Sequence, residues 1–334
     1  MSPYMNTREE IETRDIFSHI DKNMVHKESD HWGDKLIKKS LSHLRLYFQN
    51  IHGLKTDDLL TDWNDVLSHM KENEIDVFGM AETNIDWNPS IRNKLYTQLR
   101  QHMECTGNKV KLLATSSDEP TIGLKQYGGV AMVTHGDIVG RIGRSGNDEH
   151  GLGRWVYMTI QGKEGRKVVV VTLYRLSQNR PTEGQHTAYN QQYRILRQRG
   201  ETKPEPQKRV CHDLLHHIKE WRQDSEVIVM ADANANLNDN DWANFMNNGE
   251  LYDILGSQHG HDTPKTYIRG SSTIDFILGT KGIMKTVAKT GMLPFNWGIL
   301  SDHRGLWVDL DVSQLLKGTI PRIQETRILR PKTK

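Results

Sequence analysis

Apolar runs of strand length recur along the chain, and most of them end on a polar residue with useful chemistry. Within EVIVMADANANLND, Val227 to Ala231 is unbroken and rich in β-branched residues, which predicts a strand buried on both faces. Asp232 and Asn234 follow it two residues apart, so they share a face at the strand's carboxyl end. Open α/β sheets place their ligand sites at that end. The turn-rich NANLND then opens a loop and leads to a helix start near Asp241. Four more segments have this form: LRLYFQN ends at Asn50, IDVFGMAETN reaches Glu82, VVVVTLYR brings Tyr174 and Arg175, and IDFILG carries Asp275. LSDHRGLWVDL sets Asp302 and His303 just ahead of a last strand. Several strands that deliver such residues at one rim predict a single site assembled from distant parts of the chain.

Helical spacing supplies the partners of these strands. Leu59, Leu60, Trp63, Val66, Leu67 and Met70 recur on one face of residues 57–72, and the acidic start suits the helix dipole. With strands at 44–48 and 75–80 on either side, this predicts one strand–helix–strand unit and a parallel pair. A second helix is expected over 89–101, and another over 210–221. Strands at 109–115, 129–133, 154–160 and 168–173 follow one another, the last two joined by QGKEGRK, so an antiparallel section is expected as well. The fold class is therefore α/β with mixed sheets. Residues 1–40 form a polar extension in which Ile11, Ile16, Ile20 and Val25 sketch an amphipathic helix. Residues 41–313 form one domain with a polar, basic insertion near 177–209, and 314–334 form a basic tail.

Composition narrows the class. The chain has 334 residues, 36% hydrophobic and 26% charged, as in ordinary globular proteins. A net charge of +2 permits a nucleic-acid partner without arguing for one. The local patch does more: Arg194, Arg197, Arg199, Lys208 and Arg209 crowd the insertion and suit backbone contacts. Two cysteines are too few for a disulfide framework and indicate a reducing compartment. Neither a signal peptide nor an apolar run of membrane-spanning length is found, so the expected setting is intracellular, nuclear in a eukaryote and otherwise cytoplasmic.

The rim residues suit one kind of chemistry. Glu82, Asp232, Asp275 and Asp302 offer carboxylate oxygens, and Asn50 adds a carbonyl. Carboxylates with water are how proteins hold magnesium, and no motif points to zinc. His303 can carry a proton or a positive charge, held in place by a carboxylate. Tyr174, Arg175 and Asn234 can donate to phosphate oxygens. Together they suit attack of water on a phosphodiester. Taken singly, each has an ordinary reading: a carboxylate after a strand as a cap, His303 as a surface histidine, Tyr174 as core.

The ordered set FQNIHGL, GMAETN, TLYR, MADANAN, TIDFIL and SDH resembles the endonuclease/exonuclease/phosphatase superfamily over about residues 44–311. Within it, the chain looks most like the apurinic-type endonucleases of LINE-like retrotransposons. The resemblance implies a four-layered α/β sandwich of two packed mixed sheets flanked by helices. It implies magnesium, or manganese in its place, on Glu82 with Asn50 and Asp302 in support. It implies that Asp232 activates water, that Asn234 and Tyr174 hold the scissile phosphate, and that His303, oriented by Asp275, stabilises the transition state. Implied partners are DNA and a reverse transcriptase encoded elsewhere, with the chain a monomer. Repair enzymes of this superfamily carry Asp two residues after the first Asn, where this chain has His52. Ser177 replaces the Asn usual three residues after the Tyr. The leading expectation is a magnesium-dependent DNA endonuclease. The alternatives are a phosphomonoesterase or lipid-headgroup phosphatase on the same fold, and a nucleic-acid-binding module without catalysis.

Overall fold

Strands that are apolar on both faces must be covered on both faces, and here that produces two sheets packed together with helices outside each. The computed structural model describes residues 31–55, 60–104, 109–119, 125–177, 180–181 and 186–318. The expected N-terminal amphipathic helix and the basic tail beyond 318 lie outside the described residues. In chain order the elements are β1 (Trp32–Gly33), β2 (His43–Asn50), α1 (Thr61–Glu72), β3 (Val77–Ala81), α2 (Pro89–His102), β4 (Val110–Thr115) and β5 (Val130–His135). Next come β6 (Ile142–Asn147), β7 (Trp155–Gln161), β8 (Lys167–Tyr174), α3 (Ala188–Gln198), α4 (Pro206–Trp221), β9 (Glu226–Asp232) and α5 (Asn240–Gly249). The last are β10 (Tyr252–Asp253), α6 (Ile254–His259), β11 (Asp275–Gly279), α7 (Lys281–Met284), β12 (Val287–Met292), β13 (Leu306–Asp311) and α8 (Val312–Leu316).

One sheet runs β1-β12-β13-β2-β3-β5-β4 and the other β10-β11-β9-β8-β7-β6. Both are mixed: β2 pairs parallel with β3, β8 pairs parallel with β9, and the remaining pairs are antiparallel. The period of two divides the core cleanly. Leu46 and Phe48 of β2, Val170 of β8 and Met230 of β9 meet between the sheets. Tyr47 faces outward to Trp63, Leu67 and Leu99 of α1 and α2, while Val169 and Val229 face Leu214 and Trp242 of α4 and α5. The result is the expected four-layered sandwich. Each fully buried Val, Leu or Ile contributes about 1.5–3 kcal/mol of transfer free energy before conformational entropy is subtracted. The sheets approach closely at Gly79, where an added Cβ would lie 2.5 Å from Thr172 Oγ1.

Several elements differ from the expectations. The insertion holds a helix, α3, whose buried face includes Tyr189, Ile195 and Leu196 but also Asn190, Gln191 and Gln192. Those amides break the apolar periodicity and are only half satisfied: Gln192 donates to the Leu152 carbonyl at 3.2 Å, while the Oε1 atoms of Gln191 and Gln192 are buried without a partner. β6 (IGRSGN) and β12 (VAKTGM) carry no strand pattern of their own, because glycine and polar residues interrupt their alternation. β6 sits at a sheet edge, where strand character is least demanding.

Candidate active site

Strand register explains why the rim residues converge. Asn50 pairs with Ala81 across β2 and β3, which places Glu82 beside it. Tyr174 pairs with Asp232 across β8 and β9, and Asp275 pairs with Asp232 from the antiparallel β11. β13 begins opposite Phe48, so the preceding Asp302 and His303 cross the same rim. The carboxyl ends of four strands and the amino ends of two thus meet at one place. His52, Glu82 and Asn234 adopt left-handed φ values of +52°, +49° and +45°, a conformation that costs non-glycine residues energy and turns the chain sharply after each strand.

A hydrogen-bonded chain runs through the centre. Asp275 Oδ2 accepts from His303 Nδ1 at 2.8 Å, and Asn50 Nδ2 donates to Asp232 Oδ2 at 2.7 Å. The Asn50 amide is fixed in orientation because its Oδ1 accepts the His52 backbone N–H at 2.9 Å. Its Nδ2 therefore faces His303 Nε2 at 3.5 Å as donor against donor, which leaves Nε2 free to serve a different acceptor. Asp232 Oδ1 accepts the Asn234 N–H at 3.0 Å, and Asn234 Nδ2 donates to the Arg175 carbonyl at 2.7 Å. The Tyr174 hydroxyl donates to Glu82. Asp302 Oδ1 is buried with no hydrogen-bond partner.

Burial and charge tune these groups. Burial, reinforced by the Asp275 charge, holds the Asp232 carboxyl well above the usual range. Burial works against a charge on His303, but Asp275, Asp232 and Asp302 together outweigh it and raise the ring to about 10. Burial also opposes the Glu82 charge, yet the His52 imidazole paired with it, the Tyr174 hydroxyl and the His303 charge pull its carboxyl down. Burial, then the charges of Glu82 and Asp232, keeps the Tyr174 phenol protonated, hence a donor.

Two groupings could hold a cation. Ligand atoms of Asp232, Asp275 and His303 lie within 4.8 Å of one another. Asp232 accepts two hydrogen bonds and a protonated His303 has no lone pair to give, while Asp275 Oδ1 is buried with no hydrogen-bond partner. Glu82 and Asp302, flanking Asn50, offer an all-oxygen alternative in which Asp302 Oδ1 is likewise buried without a hydrogen bond. An all-oxygen set of this kind suits a hard divalent cation.

Some assignments need correction. Arg175 is no phosphate ligand: it is 2% exposed, and its guanidinium donates to the Ala233 and Gln207 carbonyls at 3.0 and 3.4 Å. Arg194 grips Glu119 through two bonds of 2.8 and 2.7 Å. Arg209 holds Glu201 at 2.5 Å and Asp213 at 2.7 Å, and Arg197 donates to the Thr202 carbonyl at 2.5 Å. Lys208 is exposed beside Glu205, and Arg199 is exposed. Folding leaves these cations at the surface but commits Arg194 and Arg209 to carboxylate partners. Arg194→Ala and Arg209→Ala are each expected to cost about 1 kcal/mol, or about 2–4 °C in Tm, with the salt dependence of DNA binding unchanged. Neutralising Arg199 and Lys208 together should lower the log–log salt slope by at most about two. Fluorescence anisotropy across a salt series checks both statements.

Supporting residues also emerge. Ser301 Oγ donates to the Asn50 carbonyl at 2.5 Å and accepts the His303 N–H at 3.1 Å, tying two loops together. Thr266 Oγ1 accepts the Asp275 N–H at 3.1 Å, and Tyr267 lays its ring against His303 with 5.0 Å between centroids. Ser301 borders a motif visible in the sequence, whereas Thr266 acts through a loop crossing that no local pattern announces.

No family model matches the sequence, and no curated protein matches it. Among solved structures, the AP endonuclease LMAP from Leishmania major superposes with a TM-score of 0.60 at 11% identity, over 87% of this chain and 95% of that one. An AP endonuclease from Archaeoglobus fulgidus gives 0.55 at 16% identity, over 80% and 100% of the two chains. The 3′ phosphatase NExo from Neisseria, bound to product DNA hairpin, gives 0.55 at 14%, over 80% and 99%. At such identities the likeness is one of fold.

Proposed function

We propose that this chain, which has the fold of the endonuclease/exonuclease/phosphatase superfamily, is a divalent-metal-dependent phosphodiesterase that nicks DNA. The observation that carries this reading is the hydrogen-bonded rim itself: Asn50 on Asp232, His303 on Asp275, with Glu82 and the unsatisfied Asp302 alongside. Glu82, Asp302 and Asn50 would hold the cation, magnesium in the first instance. When bound, that ion polarises the phosphate and offsets charge that builds up on it. Asp232, its proton affinity raised by burial and the Asp275 charge, orients the attacking water and takes its proton. The His303 imidazolium donates Nε2–H to a phosphate oxygen, and its charge gains most where negative charge develops. Tyr174 and the second amide hydrogen of Asn234 position the phosphate. Support for nicking of the retroelement type, with a reverse transcriptase as partner, comes from the sequence resemblance.

The test compares initial rates on three substrates: a DNA duplex, an oligonucleotide ending in 3′-phosphate, and a phosphoinositide. Internal phosphodiester cleavage should lead by on the order of a hundredfold. A preference for either phosphomonoester would transfer the chemistry to a phosphatase. Glu82→Gln should raise the magnesium concentration needed for half-maximal rate about tenfold or more, with the rate recovering in part at high magnesium. A magnesium requirement equal to that of the wild type would remove Glu82 from the ion's ligands.

A further inference from the structure

We infer that the loop between β12 and β13 is an apolar wedge for DNA, in which Leu300 and Trp297 engage a base that has left its stack beside the scissile phosphate. The inference rests on the DNA-nicking reading above and adds a substrate class to it: DNA with an unpaired or weakly stacked base at the cut. Few large hydrophobic side chains are exposed among the described residues, yet Leu300 is 69% and Trp297 47% exposed in this one loop. The loop is nevertheless held firmly. Leu293, Phe295 and Ile299 are buried, and the Arg304 guanidinium lies 4.7 Å from the centre of the Phe295 ring. The Leu293 N–H donates to the Gly305 carbonyl at 2.8 Å, and Ser301 Oγ fastens the far end to the Asn50 carbonyl at 2.5 Å. Gly298, at φ +80°, lies so close to His69 that a side chain there would collide with its ring. Two apolar groups thus stand in water on a fixed frame, the arrangement that lowers the entropic cost of binding a partner.

Position identifies that partner. Leu300 adjoins Ser301, which bonds both Asn50 and His303, and its Cα lies within about 8 Å of that of Asp302. A phosphate held by the catalytic rim therefore brings its own base, or the next one, to this loop. Trp297 offers a flat face for it, and the exposed Asn296 beside it offers an amide for a base edge. Apolar wedges between base steps and aromatic faces under unstacked bases are general means of holding DNA. A lipid surface fits less well. No Lys or Arg occurs between Lys289 and Arg304, whereas loops and helices that rest on anionic membranes carry such residues.

The experiment uses the full chain with Leu300→Ser, Trp297→Ser and Trp297→Phe, all at exposed positions where folding should be preserved. Two duplexes of one sequence, fully paired or with a single unpaired base at the position of cutting, are cleaved under single-turnover conditions. The wild type should prefer the duplex with the unpaired base about tenfold or more. Leu300→Ser and Trp297→Ser should each bring that ratio toward one, and Trp297→Phe should keep most of it. With 2-aminopurine as the unpaired base and Asp232→Asn as the background, emission should fall on binding and stay high when Trp297→Ser is added. Equal cleavage of the two duplexes by the wild type would overturn the inference and leave the nicking reading intact. So would variants whose rates fall equally on both duplexes or in step with Tm. Loss of binding to phosphatidylserine vesicles, or of self-association, in Trp297→Ser with duplex preference unchanged would give the loop a lipid or a second copy as occupant and overturn it too. Failure of the wild type to cleave either duplex would overturn the nicking reading and this inference with it.

Discussion

Asp232→Asn should lower the rate of DNA cleavage about a thousandfold or more while leaving DNA affinity nearly unchanged. The carboxylate is fully buried, and burial with the neighbouring Asp275 charge raises its proton affinity, which strengthens it as a general base. Proton transfer by a positioned group is worth about a hundredfold to ten-thousandfold, and asparagine cannot perform it. The structural cost should be small. Asp232 accepts from Asn50 Nδ2 and from the Asn234 N–H, and asparagine keeps one of these bonds. The variant also relieves an unfavourable buried charge, so the two effects on stability oppose each other. Single-turnover rates with melting temperatures alongside decide the matter. A loss of activity that tracks a loss of Tm would make Asp232 a structural residue.

His303→Ala should also remove on the order of a thousandfold in turnover, because a charged donor at the developing oxyanion acts chiefly in the transition state. Asp275 serves by holding the ring: its Oδ2 accepts Nδ1 at 2.8 Å while its own N–H is fixed by Thr266. Asp275→Asn should therefore cost less alone and add little to His303→Ala, the non-additivity of groups that act as a unit. His303→Gln, whose amide can still donate to Asp275, controls for stability. The charge state is measurable in the metal-free protein, where the ring should titrate near pH 10 by NMR. An unfolded histidine titrates near pH 6.5, so the ion pair stabilises the fold fully below about pH 6.5 and less as pH rises toward about 10. Losses that simply add in the double mutant would separate the two residues and dissolve the pair.

Sequence pattern reached far into this molecule where local periodicity and burial agree. Buried runs such as Val227–Ala231 can satisfy their backbone and side chains only as interior strands, so the two-sheet core followed. The site was legible for a related reason: its residues sit directly at strand ends, where one register aligns them. What escaped depended on partners distant in the chain. Arg175 looks like a phosphate ligand until the Ala233 and Gln207 carbonyls surround it. Arg194 looks like free charge until Glu119, 75 residues away, meets it. The helix α3 hid because amides occupy its packed face, and Gln192 finds the Leu152 carbonyl only in the folded chain.

The most direct measurement of the central claim is nicking of supercoiled plasmid by the wild type and by Asp232→Asn prepared in parallel. Both are assayed in magnesium and in chelator. The two preparations share any contaminating nuclease and differ only in one buried carboxylate. The account predicts open circle from the wild type in magnesium alone, with the variant and both chelated samples near background. Equal nicking by Asp232→Asn, or by the wild type in chelator, would contradict it.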